Sequence, residues 1–225
     1  MRASICSDSG GVNSADARRA NVKTSDPALE SQANVGRFGP AEFNSRGGAC
    51  VLTDLVRDQA FTIAWFGLMA VVWFGWAQED PPPSWRWRLG VGSVVGLGFA
   101  ALFGSIAARN WSTPSALDGR YWWFGLLVLV EFIVAGAGCL VLARRGQARW
   151  MAWWVALVVA LHFLPLAWFL NDASSAALGV LQVVLLAVLF RRLRNSTETT
   201  SRAVGVMMGE TLLAFAFLSA IEFYL

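Results

Sequence analysis

Charge is scarce in this sequence. Of its 225 residues only 15% are charged, against roughly a quarter in an ordinary soluble domain. Lysine is all but missing, with Lys23 alone among the basic residues, and histidine occurs once, as His162. A chain so poor in lysine, with a net charge of only +3, lacks the dense basic stripe of a nucleic-acid binder. Cys6, Cys50 and Cys139 are scattered, with no CxxC and no histidine beside any of them. That excludes the usual zinc and c-type haem motifs, and three cysteines do not make a disulfide framework. No HExxH, GxxxxGK[ST] or GxSxG occurs, and the apolar runs hold no aspartate pair. The expectation is a protein that is not an enzyme and that carries no cofactor and no metal.

Apolar residues are abundant instead. They make up 56% of the chain, 12 of them tryptophan, and mean hydropathy is +0.50. They gather into runs of about 18 residues or more, long enough to cross a hydrocarbon layer of ~30 Å as helices. Six such spans are predicted, at about 60–77, 89–108, 121–143, 150–170, 173–190 and 203–225. Only Asn171 and Asp172 separate the fourth from the fifth, which requires a tight antiparallel hairpin. The fold class is therefore all-α, a polytopic bundle of six transmembrane helices whose first partner is the lipid bilayer.

Residues 1–50 differ in kind. Rich in Gly, Ser, Ala, Asn and Asp and without Trp or Tyr, they cannot bury enough surface to fold alone. Nor do they have the apolar segment of a signal peptide. They read either as a disordered tail or as a mis-annotated start, with translation beginning at Val51. The membrane domain is 51–225.

Arginine placement sets the expected orientation, because short basic loops stay in the cytoplasm. Arg86, Arg88, Arg144, Arg145, Arg149, Arg191, Arg192, Arg194 and Arg202 follow the odd-numbered spans. The other side has only Arg46, Arg57, Arg109 and Arg120. Both termini are expected outside.

Small residues at four-residue steps let membrane helices approach closely. Gly92, Gly96, Ala100 and Gly104 form such a stripe and suggest span two as the central helix; Gly205 and Gly209 repeat the spacing in span six. Titratable groups inside spans are costly and are functional candidates by default. Here they are Glu131, His162 and Glu210, with Gln182 as a neutral companion. At ~1.5 Å per residue, Glu131, His162 and Gln182 all fall ~12–15 Å from the outer boundary, so three successive helices could bring them into one polar layer. Glu210 lies deeper, ~22 Å by the same rise, and is expected to face the bundle interior. Pro165 deprives the Leu161 carbonyl of its helical donor and predicts a kink. The layer reads either as a hydrogen-bonded clasp between helices or as a protonatable site that grips a cationic or polar solute.

The stretch LHFLPLAWF at 161–169, inside a Trp-rich six-span chain, resembles a family of small uncharacterised bacterial membrane proteins with a His-Phe-Leu-Pro-Leu-Ala signature. The resemblance implies a bacterial inner-membrane location and some importance for His162 and Pro165, and no activity. Three functions stay open: a multi-pass membrane protein of unassigned role, a small proton-linked transporter or channel using Glu131 and His162, and an accessory or sensory protein acting through partners.

Overall fold

The structure, a computed structural model, describes residues 55–79, 81–196 and 198–225. The polar stretch 1–50 and the start at Val51 lie outside the described residues. Six helices follow one another: α1 (Val56–Ala77), α2 (Pro83–Arg109), α3 (Tyr121–Arg144), α4 (Met151–Leu170), α5 (Ala173–Leu193) and α6 (Thr200–Tyr224). A 3₁₀ turn, Ala148–Trp150, leads into α4. All six are long and apolar enough to cross a membrane, and no strand occurs among the described residues. The protein is an all-helical, multi-pass membrane protein, as its apolar runs predict.

Helix ends follow local chemistry. Pro82 caps α2 and Pro83 occupies its first turn, where a missing N–H costs nothing and a fixed φ suits the helix. Trp85, Arg86, Trp87 and Arg88 are therefore helical and exposed rather than part of a loop. Between α4 and α5 the hairpin is as tight as expected. Asn171 takes the left-handed conformation, with φ of 51°, one that asparagine tolerates better than most side chains. The Asp172 carboxylate then accepts from the Ser174 and Ser175 N–H groups at 3.0 and 3.3 Å, capping α5.

The centre of the bundle is α1, not α2. Half of the apolar window of α1 is buried, against about a sixth of that of α2. The glycine stripe does its expected packing, but as one wall laid on α1. A β-carbon at Gly96 would come within 2.6 Å of the Gly67 carbonyl oxygen, and one at Gly67 within 2.8 Å of Phe99 Cβ and 3.3 Å of the Ala100 nitrogen. Gly104 opens onto Ala64. From the other side α6 closes in, where a β-carbon at Gly205 would stand 2.6 Å from the Trp73 carbonyl oxygen. Phe74 fills the gap between the two walls, its ring against both Gly92 and Gly209. Helix α1 is central because it meets small residues on two sides, whereas α2 turns its other face outward.

Helices α4 and α5 form a second antiparallel pair through Gly179, which packs on the Ala160 carbonyl and Phe163. The indole N–H of Trp153 donates to the Leu186 carbonyl at 3.0 Å. Both α4 and α5 also touch α6. Helix α3 differs from the rest: none of its residues is buried, and α4 is the helix it packs on.

Candidate functional site

A helix turns 100° per residue, so a packed neighbour fixes where each polar side chain points. Phe163 is committed to Gly179 of α5; His162, one residue earlier, is rotated toward α3. There its Nδ1 lies 3.0 Å from Glu131 Oε2. The imidazole and carboxyl side chains are 10% and 20% exposed, so the pair sits within the α3–α4 seam with one edge open. The two atoms are close but poorly aligned for an N–H···O bond, and Nδ1 has no other partner among the described residues. One proton shared between the two groups leaves the pair neutral. Adding a second proton, or removing the first, leaves a net charge in an apolar seam, which is unfavourable without compensation.

Little else fastens this seam. The indole N–H of Trp154 donates to the Val134 carbonyl at 3.2 Å, and its ring rests in the notch that Gly138 leaves. Cys139, beside that notch, is a free thiol.

Gln182 does not join the pair. It is fully buried and donates through Nε2 to Thr211 Oγ1 of α6 at 3.0 Å. Thr211 in turn donates to the Met208 carbonyl. The expected three-residue layer is thus split into two contacts, α3–α4 and α5–α6. Depth alone brought the three residues together; rotation separates them, because Gly179 sets the α4-facing side of α5 and Gln182 lies further round the helix.

Glu210 departs from expectation altogether. It is exposed, and the reason stands next to it: Gly209 is pressed on Phe74, which sends the following side chain outward. Pro165 lies inside a helix assigned without interruption from Met151 to Leu170, and its ring nitrogen offers no donor to the Leu161 carbonyl.

A polar cluster not anticipated from the sequence occupies the opposite end of α1. Arg57, buried despite its charge, donates to the Trp111 carbonyl at 2.7 Å and to the Tyr121 hydroxyl at 3.0 Å. Its guanidinium also lies over the Trp111 ring at 5.6 Å. Asp58 accepts from the Ala116 N–H and the Ser115 hydroxyl. These bonds tie the α2–α3 connection to the start of α1. Arg57 and Asp58 count in the sequence only as charges near a membrane boundary; besides each other at 3.3 Å, their side chains bond residues more than 50 positions away, and no local pattern announces those.

Among the described residues no group of three or more His, Cys, Asp or Glu side chains could hold a metal ion. The chain matches no family model, no curated protein and no solved structure.

Proposed function

We propose that this protein is a small proton-linked solute carrier of a bacterial cytoplasmic membrane, with both termini outside. In this reading Glu131 and His162 hold the exchangeable proton. The observation that carries it is the 3.0 Å contact between the two side chains, one from each of two successive apolar helices. Titratable pairs at such depth mark proton relays and ion pathways in membrane proteins. A second feature supports it: α3 buries no residue, so it can shift against α4 without breaking a packed core. Protonation of the pair would then be read out as movement of α3, opening the seam to a cationic or polar solute.

The test is proton uptake into proteoliposomes that contain a pH-sensitive dye, driven by an imposed potential and by added cationic or polar solutes. Full-length parent should take up protons, and Glu131→Gln and His162→Gln should not. Glu210→Gln, which alters an outward-facing carboxyl, should behave as the parent. Uptake no faster than in empty vesicles, or uptake unchanged by Glu131→Gln, would reduce the pair to a helix clasp.

A further inference from the structure

The basic end of the α3–α4 seam holds a cleft that the proton reading does not use. It measures about 290 Å³ and is lined by Leu142, Gln147, Trp150, Trp153, Trp154 and Phe190. That is near the lower end of the ~300–1,000 Å³ typical of small-molecule sites, and the wall is almost wholly apolar. Two of its indoles are already fixed by N–H bonds to the Leu186 and Val134 carbonyls. They present rigid hydrocarbon faces, and Gln147 brings the one amide side chain of the lining.

The rim is the opposite. Arg144, Arg145 and Arg149 precede α4, and Arg191, Arg192 and Arg194 end α5. No acidic residue occurs in either stretch. Arg149 stacks on Trp150, its guanidinium carbon 4.9 Å from a ring centroid. One of its terminal nitrogens donates to the Leu193 carbonyl at 2.7 Å. Its Nε is shielded from solvent and has no partner among the described residues. Helix ends meet here because α3 and α4, and α4 and α5, run antiparallel, so the arginines of two connections lie at the same end of the bundle as the apolar recess, with Arg149 on one of its indoles.

We infer that this cleft is a binding site for one anionic phospholipid, with an acyl chain against the tryptophan wall and the phosphate on the arginine rim. A soluble anion would gain nothing from the apolar wall, and a lipid without net charge would gain less from the arginines than an anionic one. Basic recesses between membrane helices select anionic headgroups by this combination. The site stands independently of the proton-linked reading, since neither Glu131 nor His162 lines it.

Native mass spectrometry of the full-length protein in mild detergent tests it, with phosphatidylglycerol and phosphatidylcholine of identical chains titrated side by side. Phosphatidylglycerol should be retained preferentially, as a single tight adduct. Its advantage should fall roughly fivefold for each arginine removed in Arg149→Gln and in the Arg144→Gln/Arg145→Gln double variant. Arg149 also holds the Leu193 carbonyl, so the exposed pair Arg144 and Arg145 keeps the test open should Arg149→Gln fold poorly. Arg86→Gln/Arg88→Gln, at the start of α2, should leave the preference intact. Equal retention of the two lipids, a preference that survives the Arg144/Arg145 double variant, or a loss as large in the α2 control would each overturn the site.

Discussion

Helices α1 and α3 are both apolar enough to span a membrane, yet they live in different surroundings. The more apolar of the two is α3, which has the highest hydropathy of the six, and it buries nothing; α1 has the lowest and buries half its window. In water the order would be reversed. In lipid there is little hydrophobic drive between helices, and association depends on close packing and on polar contacts. Helix α1 has the first, through Gly67, Phe74 and the glycines facing them. Helix α3 depends on the second: Glu131 with His162, and Trp154 with Val134. The difference separates a helix held by shape from a helix held by a few polar contacts.

The sharpest way to break the comparison is to fill the α1–α2 contact. Gly67→Leu drives a side chain into the Gly96 carbonyl, 2.7 Å from where its β-carbon would sit, and backbone cannot yield as a flexible side chain does. Overpacking of this kind costs about 3 kcal/mol or more. The expected outcome is loss of a monodisperse peak in size-exclusion chromatography. Phe74→Ala, which empties the wedge between Gly92 and Gly209, should follow at roughly 3 kcal/mol, measured as a drop in Tm in one detergent.

Polar contacts should matter less for stability. Thr211→Val removes the acceptor of Gln182, and interhelical bonds in membranes average ~0.6 kcal/mol with a ceiling near 1.7; a fall in Tm close to detection is expected. Glu131→Gln belongs in the same range for Tm but should speed modification of Cys139 on α3, read by mass spectrometry with Cys6 and Cys50 replaced by serine. Phe132→Leu, on the exposed face of α3, should stay within about 0.5 kcal/mol of the parent and leave Cys139 unaffected. A large loss there would mean that α3 is covered by protein rather than lipid.

Much of this architecture was legible from residue order. The six spans followed from the lengths of the apolar runs, and the α4–α5 turn from Asn171 and Asp172. The packing role of Gly92, Gly96, Ala100 and Gly104 followed from their spacing. What spacing could not give was the partner's share: α1 lacks so regular a stripe, yet it receives two of them. Depth was legible and rotation was not. Counting residues placed Glu131, His162 and Gln182 at one level, but Phe163, Gly179 and Gly209 decide which way His162, Gln182 and Glu210 face. The Arg57 cluster was illegible because its bonds reach across the α2–α3 connection to residues far along the chain.

On the proposed reading, α3 is docked on α4 by a Glu131–His162 pair that carries one proton. With that proton the Glu131–His162 pair is neutral; a second proton at low pH or loss of the first at high pH leaves a charge in the seam and loosens α3. The most direct measurement is the rate of Cys139 modification across pH in the parent, divided at each pH by the rate in a Glu131→Gln/His162→Gln double variant, which cancels the thiol's own titration. The ratio should pass through a minimum at intermediate pH and rise on both sides. A ratio flat across the whole range would show that α3 is docked without regard to the proton, and the account of the pair as the protein's responsive element would be wrong.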